Sequence, residues 1–167
     1  SRVHAAERGD EAAALAWLDG GGRVDERFEY TFDNAACADT RAEYTFDSMT
    51  LLMLAMVDGH AELAEALLRR GADVSLQTSN GSTALILAAG NGREKMVELA
   101  FRHGAEINRR NNFGNAALLN AAYYGHPAVV LQLLRAGADI TLCTKKGDNA
   151  LQWAKAKGHT ECVRALE

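Results

Sequence analysis

Apolar positions in this chain fall in short helical bursts separated by glycine. Between Thr83 and Gly104, the residues Leu85, Ile86, Ala88 and Ala89 recur at helical spacing. Gly92 interrupts the run, and Met96, Val97, Ala100 and Phe101 resume it. Apolar residues spaced in this way mark one face of an α-helix. The segment predicts two short helices joined by a turn. Thr83 caps the first through its hydroxyl, and Gly104 takes the left-handed conformation that ends the second, behind His103 in its last turn.

The same punctuation returns every 33 residues: Gly71, Gly104 and Gly137; Gly81, Gly114 and Gly147; Gly59, Gly92, Gly125 and Gly158. The text around these glycines repeats in phase. Gly71-Ala-Asp-Val74 becomes Gly104-Ala-Glu-Ile107 and Gly137-Ala-Asp-Ile140, while Gly81-Ser-Thr-Ala-Leu85 becomes Gly114-Asn-Ala-Ala-Leu118 and Gly147-Asp-Asn-Ala-Leu151. Self-similarity at this period marks a repeat architecture. A unit this short cannot bury its apolar face alone, so stacked neighbours must make the core, and Ala88–Ala89 and Ala121–Ala122 let helices approach closely.

Gly-x-Thr-x-Leu, then Ala-Ala-x-x-Gly-His, a Leu-Leu helix and Gly-Ala-Asp-Val together resemble the ankyrin repeat. The resemblance covers residues 48–167 directly and reaches residues 1–25, where Ala5, Gly9, Gly21 and Val24 match Ala55, Gly59, Gly71 and Val74 at an offset of fifty. It implies an all-α solenoid of stacked helix–turn–helix units with hairpin-like loops, forming one domain over residues 1–167. The units run approximately 1–25, 48–80, 81–113, 114–146 and 147–167, with an insertion at about 26–47. The chain departs from the family's Thr-Pro-Leu-His, reading Thr50-Leu-Leu-Met53, Thr83-Ala-Leu-Ile86, Ala116-Ala-Leu-Leu119 and Asn149-Ala-Leu-Gln152. The hydrogen bonds which that histidine makes between repeats are then missing, and packing is expected to replace them.

The insertion contains a verbatim duplication, Glu29-Tyr-Thr-Phe-Asp33 and Glu43-Tyr-Thr-Phe-Asp47. In an extended chain Tyr30 and Phe32 share one face, and the acids and Thr31 share the other. Two such pieces flanking the polar stretch 34–42 predict an elongated β-hairpin where an ankyrin array already turns. Two readings stand for its rings: Tyr30, Phe32, Tyr44 and Phe46 anchor a partner, or they fold back and cover the edge of the first units.

The resemblance implies that partners sit on the concave side, made of the turn tips and the first helix of each unit. The positions mapped there are Gln77, Ser79, Asn80, Ser82 and Asn91, then Arg110, Asn112, Phe113, Asn115, Tyr123 and Tyr124, then Cys143, Lys145, Lys146, Asp148 and Lys157. Phe113 stands at a turn tip where solvent favours a polar residue, and tyrosine and arginine are residue types that interfaces favour. Arg110, Phe113, Tyr123 and Tyr124 are accordingly expected to form the energetic centre, with the lysines to one side and the acidic insertion to the other. The competing reading packs one tyrosine between repeats and lays Phe113 against its neighbour. For Lys145 and Lys146 it is a solvated face.

Composition narrows the function classes. The formal charge is −4, with residues 1–47 contributing −6 and the remainder +2, which gives no basic footprint for nucleic acid. No run of eighteen apolar residues exists, so no transmembrane segment is expected. Cys37, Cys143 and Cys162 are odd in number and form no Cys-x-x-Cys, which favours a reducing compartment. The expected location is intracellular, cytoplasmic by default, or an organelle if a targeting peptide has been removed. Ser1 in place of Met, and an end at Glu167 inside a helical pattern, read as a fragment or processed chain.

No nucleotide-binding, zinc-protease or hydrolase motif occurs. Gly20-Gly21-Gly22 is the C-terminal turn of a unit, and His60, His126 and His159 open second helices without converging on a metal. No catalytic residue, cofactor or metal site is expected. The function read from the chain is a protein–protein interaction scaffold, adaptor or peripheral assembly subunit, as a monomer or within a hetero-complex. The alternative is the regulatory array of a larger enzyme, kinase or channel.

Overall fold

The computed structural model describes residues 8–32 and 44–167, and for 30–32 and 44–47 the backbone alone. Among the described residues there are nine helices and one pair of strands: α1 (Glu11–Asp19), β1 (Phe28–Phe32), β2 (Tyr44–Met49), α2 (Leu51–Asp58), α3 (Ala61–Arg69), α4 (Ala84–Gly90), α5 (Glu94–Arg102), α6 (Ala117–Tyr124), α7 (Pro127–Arg135), α8 (Ala150–Lys157) and α9 (Thr160–Leu166).

The two helices of a unit differ in what they bury, and the difference sets the layering. In α2 every residue from Leu51 to Val57 is buried, and in α4 every residue from Ala84 to Ala89. A helix apolar on all sides must lie inside, and α2, α4, α6 and α8 do stack one on the next. The second helices are amphipathic instead. In α3, Leu63, Ala64, Ala66, Leu67 and Leu68 are buried while Glu65 is exposed. The helices α1, α3, α5, α7 and α9 form the outer row. One hydrophobic core runs the length of the array, from Ala14 through Leu54, Met96 and Leu118 to Leu166.

Local chemistry starts three of the four described first helices, α2, α4 and α8. Thr50 Oγ1 accepts from Met53 N, and Thr83 Oγ1 from Ile86 N, both at 3.3 Å. Asn149 and Gln152 form a reciprocal capping box at 2.8–2.9 Å. Ala116, at the corresponding position of α6, has no side chain able to cap. In the loops that follow the outer helices, Asp73 accepts from the Ser75 hydroxyl and N–H, and Asp139 from those of Thr141, which holds both carboxyls below the usual range.

The inter-repeat hydrogen bonds expected to be missing are present at a different position. His126 Nε2 lies 2.9 Å from Gly90 O, and His159 Nε2 lies 3.0 Å from Tyr123 O. Arg93 occupies the equivalent place one unit earlier and donates from Nε to Val57 O at 2.8 Å. In these three units the residue opening the second helix thus ties its unit to a carbonyl at the end of the preceding first helix. Glycine is required beneath these rings. A Cβ on Gly92 would meet His126 Nδ1 at 2.6 Å, one on Gly125 would meet His159 Nδ1 at 2.6 Å, and both residues have positive φ.

The strands of the insertion pair antiparallel with Thr31 opposite Thr45, Tyr30 opposite Phe46 and Phe32 opposite Tyr44. The duplicated pentapeptide therefore pairs with its own copy about the central threonine, as the expected hairpin requires. The register then slips, since Phe28 is the next partner and faces Met49, while Ser48 takes φ +67°. The slip is a bulge, and it removes Glu29 and Asp47 from a regular like-charge pairing. Met49 is buried and Phe28 packs on the core, so the base of the hairpin is rooted in the array. The side chains of Tyr30, Phe32, Tyr44 and Phe46 lie outside the described residues, and so does the choice between a free arm and a folded one.

Candidate partner-binding surface

The turn tips are built by side chains that stand in for backbone. Asn111 Oδ1 accepts from both Phe113 N and Asn115 N at 3.0 Å, and Thr144 Oγ1 accepts from Lys146 N and Asp148 N. Successive tips are then laced together. Asn112 N donates to Asn80 O at 2.9 Å and its Nδ2 to Ser79 O at 3.1 Å, while Lys145 N donates to Phe113 O at 3.0 Å. Ser82, mapped to the concave surface from the sequence, is instead buried and accepts from Asn111 Nδ2.

Arg110 is drawn into the same lacing. Its Nε donates to Gly114 O at 3.1 Å and its Nη2 to Cys143 O at 2.7 Å, so its guanidinium bridges two units. Phe113 does stand out, with 60% of its surface exposed. Lys145 and Lys146 are exposed beside it on the next tip. Asn115 is partly buried, and its Oδ1 is shielded without a hydrogen-bond partner among the described residues.

The tyrosines lie at the other end of α6. Tyr124 is 47% exposed, and its ring meets Tyr123 edge-on with centroids 4.9 Å apart. Tyr123 is only partly exposed, because Trp153 of α8 packs on it at 4.7 Å and Lys157 Nζ sits 4.5 Å from its ring centre. One tyrosine is therefore packed between repeats while the other faces solvent. Between Phe113 and the tyrosines runs the whole of α6, about 12 Å of helix rise. The expected single centre is thus two patches, one at the turn tips and one at the first-helix ends.

Sequence reasoning did not select Trp153. The available signal was its register: it stands 33 residues after Asn120 and 66 after Leu87, on the inner row. Among the described residues no group of His, Cys, Asp or Glu is placed to hold a metal ion. Cys162 is buried, and burial followed by the charge of Glu161 pushes its thiol up. No described helix is long and apolar enough to cross a membrane.

A family model described as ankyrin repeats matches the sequence in three overlapping stretches, residues 3–111, 51–142 and 118–166. No curated protein matches the chain. Ankyrin repeats are generally protein–protein interaction modules and typically non-enzymatic. With the tandem helix pairs and the lacing of successive tips, these matches establish that the chain belongs to the ankyrin-repeat family.

Proposed function

We propose that this array is a scaffold, adaptor or peripheral assembly subunit that binds a partner protein across the concave face of its last three units, with the hairpin insertion as a second contact. The observation that carries the reading is the ring row Tyr124–Tyr123–Trp153, spanning two units, with Tyr124 held 47% exposed on the face where the family places partners. Aromatic side chains with fixed neighbours lose little entropy on binding and dominate interface energetics. Arg110 and Asn112 serve the reading as supports, since their hydrogen bonds position Phe113 and the tips.

The test is affinity capture from native extract with cross-linking. Phe113→Ala/Tyr124→Ala is expected to lose most of the captured partner, and a variant lacking residues 29–47 to lose part of it. If both variants keep every partner, both contact regions are wrong. If only the deletion loses them, the site is the insertion and the concave-face proposal fails.

A further inference from the structure

Resting on the concave-face reading, we infer that the surface takes an extended, acidic segment of a partner protein carrying two apolar anchors about four residues apart. The spacing comes from the two patches. Phe113 stands on the turn tip before α6 and the exposed Tyr124 ends that helix, so the rise of α6, about 12 Å, sets the scale of the gap an occupant must span. An extended chain advances about 3.3 Å per residue, so side chains roughly four residues apart reach both rings at once. A helical segment would need about twice that separation to cover the same distance.

The floor between the patches suits a main chain in extended form. Asn120, on α6, is partly exposed and lies beside Gly90, where the missing side chain keeps the surface low. An asparagine side chain carries the donor and acceptor of a peptide group and can pair with an extended backbone.

Charge decides the class of segment. Lys145 and Lys146 flank Phe113, and Lys157 stands over the Tyr123 ring, all three exposed. Lys155 is occupied by Glu167 at 3.0 Å. Over residues 110–167 there are seven Lys/Arg and four Asp/Glu, a net of +3 in a chain of −4. The cationic rim itself is Lys145, Lys146 and Lys157, with Asp148 partly buried on the tip that carries the first two. A nucleic acid is the weaker occupant, because a chain of net charge −4 offers no basic footprint for a continuous phosphate charge.

The probe is a fluorescein-labelled synthetic peptide with two phenylalanines four residues apart among glutamates, followed by anisotropy on the full chain. Saturable binding is expected at low salt. It should weaken by about threefold or more at about 0.3 M salt, because exposed charge pairs are screened. Phe113→Ala and Tyr124→Ala are each expected to weaken it about fivefold or more, with unchanged circular dichroism. Moving the phenylalanines to adjacent positions should cost a similar factor. Equal binding of the lysine-for-glutamate peptide, or tighter binding of a single-stranded oligonucleotide, overturns the inference. So does salt-sensitive self-association that deletion of residues 29–47 abolishes, which would assign the surface to a second copy. If Lys145→Glu/Lys157→Glu leaves native partner capture intact, the acidic class falls and the concave-face reading stands. If Phe113→Ala/Tyr124→Ala also leaves capture intact, both fall.

Discussion

Ala116 holds the position that Thr50 and Thr83 use to cap a first helix, and its backbone angles, φ −97° and ψ 171°, match theirs. The conformation for capping is therefore in place and only the oxygen is missing. Ala116→Thr is expected to stabilise the array by about 0.5–2 kcal/mol, read from urea unfolding midpoints. A loss of stability would mean that packing around α6 cannot take the added atoms. His126 makes a prediction of the opposite kind. Burial lowers its pKa from 6.5, opposed by the bond to Gly90 O and assisted by the charges of His159 and Arg93. With the folded value below the unfolded one, the unfolded chain binds the proton more readily, so stability falls as pH drops below about 6.5. Above that pH both states are neutral and the residue adds no pH dependence. Unfolding free energies measured at steps from pH 7.5 to 5.5 should decline in the wild type, with a shallower slope in His126→Gln. Equal slopes in the two proteins would remove His126 as a source of the decline.

At the scale of elements, the reach of the sequence depended on the kind of interaction. Helix pairs were legible because Gly92, Gly104 and Gly125 must take positive φ, a constraint that leaves a 33-residue mark in the text. The hairpin was legible because Glu-Tyr-Thr-Phe-Asp is duplicated, and its register about Thr31 and Thr45 follows from pairing like with like. Contacts between side chains of different units were not legible. Whether Trp153 meets Tyr123 depends on the rotation of α8 against α6, and whether Arg110 points at a partner or at Cys143 O depends on where the next tip stands. The histidines show the same limit. Their place at the start of second helices could be read, whereas their bonds to Gly90 O and Tyr123 O could not, and the replacement of the lost Thr-Pro-Leu-His contact was assigned to packing alone. The bulge at the hairpin base went unforeseen because it arises from anchoring Met49 in the core while keeping the threonines paired. Ser48 is its cost, a non-glycine residue at φ +67°. Ser48→Gly should raise stability by about 0.5–1 kcal/mol by relieving that conformation, measured by thermal and urea melts. A decrease would mean that the serine side chain holds the hairpin root.

The whole molecule behaves as a line of units joined only to their neighbours. In such an array the stability of the ensemble is a sum of unit and interface terms, and weakening one central unit can uncouple the two sides. Leu118 is the place to test this: it is 1% exposed, lies in α6, and α6 contacts both α4 and α8. Leu118→Ala removes buried methyl groups and is expected to cost about 2–5 kcal/mol, a large share of a small domain's stability. The chain's two tryptophans make the outcome visible, because Trp17 lies in α1 and Trp153 in α8, on opposite sides of Leu118. Single-tryptophan versions, made with Trp153→Phe or Trp17→Phe, report the two ends separately by fluorescence. With Leu118 intact, both probes should give one coincident urea transition, since the continuous core couples the ends. With Leu118→Ala, the Trp153 signal should move to lower urea more than the Trp17 signal, because α8 and α9 keep fewer neighbours than α1 to α5. Coincident transitions in the variant would show that coupling across α6 exceeds the loss.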